Sequence, residues 1–149
     1  MELASLLEQI SSAAERDGVQ QFVVGAVVQH EGKVLLLQRP EDDFMGGIFE
    51  LPSGKVEAGE GLDAALVREV KEETGLEVTA IRDYLGSFDY VSGSGRKSRQ
   101  FNFAVDVSDT GPVKLQEHDA YTWTSFTEEP PVTDAVKGVL SEYRKLQNA

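Results

Sequence analysis

Apolar residues recur at helical spacing near both ends of the chain. Residues 3–14 follow the three-and-four spacing of an amphipathic helix, and Gly18 is a suitable stop. Further along, Thr133 can cap another helix. The apolar stripe of that helix consists of Val136, Val139, Leu140, Tyr143 and Leu146. The pattern therefore predicts an N-terminal helix within residues 1–18 and a last helix after residue 133.

The central part of the chain alternates between strand-like apolar runs and short turns. The run QFVVGAVVQHEGKVLLLQRP predicts two strands around a tight turn at His30 to Gly32, with Pro40 as the stop. A brief strand is predicted at residues 48–51. Further strands are predicted in LEVTAIRDYLGSFDYV, RQFNFAVDV and AYTWTSF. Strands interrupted by helices, without a regular βαβ repeat, predict an α+β fold, with an α/β/α sandwich around a mixed sheet.

A third helix is predicted in the middle of the chain, and one of its faces is acidic. Helical spacing runs from residue 62 to residue 74, and Gly75 is placed to end the helix. At about 100° per residue, Glu69 and Glu73 lie about 40° apart around the axis, and Glu72 lies about 60° from Glu69. Carboxylates this close repel each other, and a divalent cation with a preference for oxygen ligands would reverse that repulsion. A solvated acidic face is the alternative interpretation.

The composition narrows the range of functions. A chain of 149 residues with 40% hydrophobic content can bury one core, so we expect a single domain over residues 1–149. The formal net charge of -12 disfavours nucleic acid and anionic membranes as partners. The absence of cysteine excludes disulfides, thiolate metal sites and cysteine nucleophiles. The first residues have no basic segment and no long apolar run, so we expect a cytoplasmic protein without signal peptide or membrane span.

The acidic helix lies inside a longer pattern, GKVEAGEGLDAALVREVKEETGL, at residues 54–76. A glycine, five residues, a glutamate and seven residues are followed by Arg-Glu-apolar-x-Glu-Glu-x-Gly-apolar. The fixed positions are Gly54, Glu60, Arg68, Glu69, Glu72, Glu73 and Gly75. This pattern matches the Nudix box, so the sequence resembles the Nudix (MutT-type) hydrolases. The resemblance implies a mixed sheet between helices, with the box as a loop-helix-loop.

The resemblance also implies a reaction and a cofactor. Family members use Mg²⁺ or Mn²⁺ and a water molecule to cleave the pyrophosphate linkage of a nucleoside diphosphate joined to another group. The implied metal ligands are the carboxylates of Glu69, Glu72 and Glu73 and the carbonyl of Gly54. The partner is then a small nucleotide. A homodimer is an open expectation, for which the N-terminal helix is a candidate interface.

The other catalytic candidates lie partly within the box and partly beyond it. Glu60 is expected to support the metal ligands through water, and Arg68 to orient a box glutamate. The general base is expected to be either Glu69 or Glu117, a glutamate in the later segment KLQEHDAYTW. His118, beside Glu117, is a candidate to assist it. A plain surface position is the alternative for Glu117.

Candidates for substrate binding are found outside the box. Arg39, at the end of the VLLLQR strand, is in a position to reach a substrate phosphate, although a structural arginine is the alternative. Phe88 and Tyr90 are candidates to stack on a base, with a core position as the alternative. The SGSGRKSR connection, residues 92–99, carries basic residues that we expect either to draw phosphate to the cleft or to form a solvated hairpin tip.

Three substrate classes and one binding function remain open. The proline that marks ADP-ribose enzymes soon after the box is missing, since the next proline after Pro52 is Pro112. The default is therefore a nucleoside or deoxynucleoside triphosphate, cleaved to the monophosphate and pyrophosphate. Dinucleoside polyphosphates and nucleotide sugars are the other substrates. A nucleotide-sensing module without catalysis is the alternative function, although the intact box favours an enzyme.

Overall fold

The computed structural model describes residues 2–40, 46–108, 111, 113–115, 118, 120–125 and 131–147. The elements within these ranges are α1 (Leu3–Arg16), β1 (Gln21–His30), β2 (Lys33–Gln38), β3 (Phe49–Glu50), β4 (Ser53–Lys55), α2 (Leu62–Thr74), β5 (Val78–Val91), β6 (Lys97–Val107), β7 (Ala120–Thr124) and α3 (Asp134–Gln147). The helices and strands predicted from the spacing of apolar residues are all present, and β4 is an additional short strand at the start of the box.

The strands form one mixed sheet. Its main path has the order β3-β2-β1-β6-β5, while β4 pairs with β1 and β7 pairs with β2. Strands β1 and β6 run parallel over nine residue pairs, from Gln21 opposite Ser98 to Gln29 opposite Asp106. The other pairings are antiparallel. The predicted mixed sheet is therefore confirmed, with β1 at its centre and β5 at one edge.

Helices cover both faces of the sheet, so its central strand is buried on both sides. Val24, Ala26 and Val28 of β1 face the cluster that α1 and α2 complete. Val27 faces the opposite cluster, beneath α3. A strand buried on both faces has a continuous apolar sequence, as FVVGAVV does. The arrangement is the α/β/α sandwich expected from the sequence.

Helix α2 is held on the sheet by one apolar face and leaves its glutamates beside the sheet. Leu62, Ala65, Leu66 and Val70 are buried against the strands. The helix ends at Gly75, whose φ of 78° lies in the left-handed region that glycine adopts without a steric penalty. The predicted stop at Gly75 is therefore confirmed. The burial of one face fixes the rotation of α2 and with it the direction of the acidic residues.

Helix α3 packs on the opposite face of the sheet. The side-chain oxygen of Thr133 accepts a hydrogen bond of 3.2 Å from the backbone N–H of Val136, which confirms the predicted cap. The prediction for Leu146 was wrong, because this side chain is 45% exposed. The buried stripe ends at Tyr143, whose hydroxyl donates to Gln29 close to the end of β1. Within the described ranges, no helix is long and apolar enough to cross a membrane.

Candidate active site

An open cleft with a volume of about 950 Å³ lies between β4 and α2. Its lining residues come from these two elements and the loop between them: Ser53, Gly54, Lys55, Glu57, Arg68, Glu69, Glu72 and Glu73. The sheet positions β4 through its pairing with β1, where Gly54 lies opposite Val24. The cleft therefore collects the metal-ligand candidates of the box in one place.

The glycine that opens the box allows a close approach between strand and helix. A Cβ atom placed on Gly54 would overlap the carboxylate of Glu69. No residue with a side chain fits here unless Glu69 moves, so the glycine is required by the contact rather than by a turn. The backbone of β4 and the carboxylate of Glu69 are thereby brought side by side, as expected for two ligands of one metal ion.

Arg68 lies at the centre of the box and holds several of its oxygens. Its guanidinium donates two hydrogen bonds to the carboxylate of Glu60, of 2.7 and 2.8 Å. It donates others to Glu69 at 2.7 Å, to Glu72 at 3.1 Å and to the backbone carbonyl of Lys55 at 3.0 Å. The bidentate bond from Arg68 is the main reason why the pKa of Glu60 is lowered to about 2. Arg68 thus lies between Glu60, on the loop, and the acidic face of α2.

The carboxylates of Glu73 and Glu69 are crowded and partly buried. Oε1 of Glu73 accepts a hydrogen bond of 2.6 Å from the backbone N–H of Ser53. Burial nevertheless raises the pKa of Glu73 to about 7, and the negative charges of Glu69 and Glu50 act in the same direction. Burial likewise raises the pKa of Glu69, although Arg68 opposes the change. The ionised forms of both carboxylates are therefore disfavoured, because the positive charge nearby does not offset their burial.

The donors of this cleft suit a divalent cation. They are oxygens of three carboxylates and a backbone carbonyl, which Mg²⁺ and Mn²⁺ prefer, and the surplus negative charge would be relieved by the ion. In the described part of the chain, no three acidic or histidine side chains already form a closed metal-binding cluster. One oxygen each of Glu69 and Glu72 instead accepts a hydrogen bond from Arg68. Metal binding would therefore redirect oxygens that Arg68 now holds.

A second group of charged residues adjoins Glu73. Nε of Arg39 donates to Oε1 of Glu50 at 2.8 Å, and Nε2 of His118 lies 2.6 Å from Oε2 of the same carboxylate. Burial raises the pKa of Glu50, but the hydrogen bonds from His118 and Arg39 outweigh it, and the net pKa is lowered. On its other side, Nδ1 of His118 lies 3.8 Å from Oε2 of Glu73. Arg39 is thus connected to the box through Glu50 and His118.

Glu50 was not among the residues singled out from the sequence. The only available signal was its place in IFELPSG, directly before the box. Its partner His118 is 68 residues away, and such a contact leaves no local pattern. Glu117, predicted as an alternative general base, lies outside the described residues.

The structure does not bring the predicted aromatic residues to this cleft. Phe88 and Tyr90 lie on β5 with their ring centroids 6.1 Å apart. Phe88 packs against the cluster beneath α3, on the face of the sheet opposite α2. Neither ring lines the cleft described above. The alternation of side chains along β5, with register shifts before Ser87, decides which face they occupy.

The basic residues at the β5–β6 connection serve other contacts. Arg99 donates to Asp89 through Nε at 2.6 Å and Nη2 at 2.9 Å, and to Asp17 at 3.0 Å. Nζ of Lys97 donates to the backbone carbonyl of Asp17 at 2.6 Å. These bonds join the end of α1 to the sheet. For Lys97 and Arg99, the expectation that they draw phosphate into the cleft is not supported, because their cationic groups bind Asp17, at the end of α1, and Asp89 on β5.

Comparison with known proteins agrees with the chemistry of the cleft. A family model described as a NUDIX domain matches residues 19–143. A CTP pyrophosphohydrolase of Escherichia coli (strain K12) is 35% identical over 129 residues, which are 85% of this chain and 93% of that protein. An 8-oxo-dGTP diphosphatase of Proteus vulgaris is 42% identical over 58 residues, which are 39% of this chain and 52% of the relative.

A solved structure extends the comparison to the fold. The solution structure of the Escherichia coli ORF135 protein is 31% identical and superimposes with a TM-score of 0.68. The match covers 88% of this chain and 94% of that one. The predicted fold, drawn from the resemblance and from the strand and helix pattern, is confirmed.

Proposed function

This chain belongs to the Nudix family of hydrolases, and on that premise we propose that it cleaves nucleoside triphosphates to the monophosphate and pyrophosphate. Members of this family are pyrophosphohydrolases that generally use divalent metal ions and act on small nucleotides. What the proposal adds is the substrate, the residues and their roles.

The acidic face of α2 beside Gly54 is the observation that carries the proposal. We assign the carboxylates of Glu69, Glu72 and Glu73 and the carbonyl of Gly54 as the ligands of Mg²⁺ or Mn²⁺. When bound, such an ion polarises a phosphate and lowers the pKa of a water molecule. Glu69 and Glu73 are the principal ligands in this assignment, because burial and mutual repulsion leave them with surplus negative charge.

Other residues, within the box and beyond it, orient these ligands, accept the proton and meet the substrate. Arg68, fixed by its bidentate bond to Glu60, holds the Glu69 carboxylate next to β4. The general base that accepts the proton of the attacking water is Glu69 or Glu117. Arg39 borders the site through Glu50, and from there its guanidinium can meet the far phosphates of a substrate.

Both named relatives act on triphosphates, and the extent of one resemblance favours CTP among them. The CTP pyrophosphohydrolase of E. coli matches along nearly its whole length, whereas the 8-oxo-dGTP diphosphatase matches over about half of its length. CTP and dCTP are therefore the first substrates to test, followed by oxidised purine triphosphates. Dinucleoside polyphosphates, nucleotide sugars and a sensing function without turnover remain the competing proposals. The net charge of -12 disfavours nucleic acid as the substrate.

We further propose that residues 1–149 form one domain. Ala14 of α1 is fully buried in the same cluster as the apolar face of α2, although α1 precedes the range matched by the family model. Removing the first 18 residues should expose that cluster and lower the melting temperature. A truncated chain that melts like the full chain would contradict this assignment.

The test of the proposed function is product analysis with a panel of nucleotides. Purified protein is incubated with CTP, dCTP, 8-oxo-dGTP, a dinucleoside polyphosphate and a nucleotide sugar, each with Mg²⁺, Mn²⁺ or EDTA. The proposal predicts metal-dependent formation of CMP and pyrophosphate from CTP. Release of CDP and phosphate, or turnover of a nucleotide sugar alone, would contradict the substrate assignment.

A control variant keeps the panel interpretable. Glu8→Gln changes an exposed glutamate of α1 and should leave the rate unchanged. Nucleotide-dependent thermal stabilisation without turnover under every metal condition would contradict the proposed catalysis and favour the sensing function.

A further inference from the structure

A buried histidine connects carboxylates from two separate elements. His118 lies in the segment before β7, and its side chain is 6% exposed. Its Nε2 lies 2.6 Å from Glu50 on β3, and its Nδ1 lies 3.8 Å from Glu73 on α2. One imidazole thus faces an oxygen of each carboxylate, so a single side chain joins the edge of the sheet to the acidic helix face.

The other oxygen of each carboxylate also has a partner. Oε1 of Glu73 accepts from the backbone N–H of Ser53 at 2.6 Å. Oε1 of Glu50 accepts from Nε of Arg39 at 2.8 Å. We call this series of contacts the His118 bridge; it runs from Arg39 through Glu50 and His118 to Glu73. Both ends of the Glu73 carboxylate are therefore approached by groups that are themselves anchored.

We propose that His118 is a positioning residue that orients Glu73 for binding the divalent cation, and that Glu50, fixed by Arg39, holds the imidazole in place. The inference rests on the proposed function, since it deepens the account of the same site. None of these three residues belongs to the box, and His118 acts through Glu73 rather than on the substrate.

Two physical effects support this role. A glutamate side chain has several rotatable bonds, and an imidazole fixed 3.8 Å from its second oxygen reduces the orientations that a metal ion must select from. Glu50 without Arg39 and the imidazole would repel Glu73, since two carboxylates at one site disfavour each other's ionised form. The imidazole separates these carboxylates, and Arg39 compensates the charge of Glu50. The His118 bridge therefore keeps the Glu50 carboxylate close to Glu73 with the imidazole between them.

The test measures metal binding in the absence of nucleotide. The dissociation constant of Mn²⁺ is determined by calorimetry for the wild-type chain, His118→Asn and Glu50→Gln. Loss of the partner that orients a metal ligand weakens metal binding by roughly tenfold or more, and we expect that for His118→Asn. Glu50→Gln should weaken binding in the same direction and by less, because it loosens the imidazole without removing it.

The chain offers a matched control. It contains two histidines, and the other one, His30, lies at the β1–β2 turn with an ion pair of 3.7 Å to Glu31. His30→Asn should keep the wild-type affinity for Mn²⁺. The melting temperature without metal shows whether each variant is folded. The rise of that temperature with Mn²⁺ should shrink in His118→Asn, shrink less in Glu50→Gln and stay unchanged in His30→Asn. A merely structural role would lower the melting temperature and leave the affinity of the folded fraction unchanged.

Two results would overturn the inference. One is a folded His118→Asn variant with a Mn²⁺ dissociation constant within about twofold of the wild type, a change too small for a ligand-orienting role. If His118→Asn does not fold, the other is an unchanged constant in Glu50→Gln. Failure of the proposed function is distinct: the wild-type chain would then bind Mn²⁺ but cleave no nucleotide, and the effect of His118 on affinity would still be measurable.

Discussion

Two arginines of this chain lie among carboxylates, and their surroundings differ in charge balance. Arg99 shares hydrogen bonds with Asp17 and Asp89 and joins α1 to the β5–β6 hairpin. Arg68 donates to Glu60, Glu69 and Glu72. Glu73 lines the same cleft but accepts no hydrogen bond from Arg68 among the described contacts. We call Arg99, Asp17 and Asp89 the Arg99 cluster. We call Arg68 and the glutamates Glu60, Glu69, Glu72 and Glu73 the Arg68 cluster.

The pKa values of the acidic residues shift in opposite directions in the two clusters. The pKa of Asp89 is lowered, mainly by the hydrogen bond from Arg99. The pKa values of Glu69 and Glu73 are raised, because burial and neighbouring carboxylates outweigh the positive charge available. One arginine shared by two aspartates therefore holds elements together, whereas one arginine among four glutamates leaves surplus negative charge at the edge of a cleft, where there is room for a cation.

The largest expected effect comes from removing charge at the Arg68 cluster. Glu73→Gln keeps the size of the side chain and removes the charge of a proposed metal ligand, so the rate of CTP hydrolysis should fall by roughly a hundredfold or more. The measurement is kcat/KM with saturating Mg²⁺. Glu8→Gln, on the exposed side of α1, should match the wild type. Retained turnover in both Glu73→Gln and Glu69→Gln would contradict the assignment of the metal site.

A smaller effect is expected from the glycine that lets Glu69 approach β4. In Gly54→Ala the added methyl group would displace the Glu69 carboxylate, and we expect a rate lower by roughly tenfold or more because the proposed metal ligand moves. Gly93→Ala is the matched control, since no atom lies within 4 Å of the Cβ position there. Equal rates in the two alanine variants would show that the close approach has no role in catalysis.

The Arg68 cluster should also reduce stability when metal is absent. Burial disfavours the ionised form of Glu73. In EDTA above neutral pH, Glu73→Gln should therefore increase the free energy of unfolding by on the order of 1 kcal/mol, and the melting temperature should rise with it. Thermal unfolding at pH 8 in EDTA tests this. A lower melting temperature for Glu73→Gln would mean that the charge stabilises the fold, contrary to this comparison.

The Arg99 cluster should show the reverse pattern, with a loss of stability and no loss of activity. Arg99→Ala removes bonds between α1, β5 and β6 and should cost about 1 kcal/mol or less, since the acidic partners Asp17 and Asp89 are 53% and 40% exposed and solvent screens them. The rate of CTP hydrolysis at 25 °C should remain that of the wild type. A rate loss in the folded Arg99→Ala variant would place Arg99 in the substrate path.

The pH dependence of the Arg99 effect follows from the sign of the pKa shift. The folded-state pKa of Asp89 lies below its ordinary value of 3.8, so the bond to Arg99 contributes stability above that value and loses it as the pH falls through the lower folded-state pKa. The difference in melting temperature between the wild type and Arg99→Ala should therefore shrink towards pH 3. An undiminished difference there would contradict an ionic contribution.

Local features of this molecule could be predicted from the sequence. Helix α2 and its end at Gly75 follow from apolar spacing and a glycine, and β1 and β2 follow from apolar runs around a short turn. The grouping of Glu69, Glu72 and Glu73 follows from helix geometry, which residue spacing determines. These predictions depend on interactions within a few residues, and the structure confirms the helix, its end and the two strands.

Contacts between distant segments could not be predicted in this way. The pairing of His118 with Glu50 spans 68 residues, and the sequence between them carries no repeating pattern that would reveal it. The face on which Phe88 lies depends on register shifts in β5, and a shift of one residue exchanges the two faces of a strand. Leu146 continued the apolar spacing of α3 but lies past the last buried contact at Tyr143.

Titration of the protein with Mn²⁺ by calorimetry, without nucleotide, shows whether the acidic face of α2 binds the metal ion. The wild-type chain and the double variant Glu69→Gln, Glu73→Gln are compared, with Glu8→Gln as the control. We expect saturable binding in the wild type and the control, and a Mn²⁺ affinity weaker by roughly a hundredfold or more in the double variant. Equal affinity in all three proteins, with the double variant folded, would show that the acidic face of α2 is not the metal site.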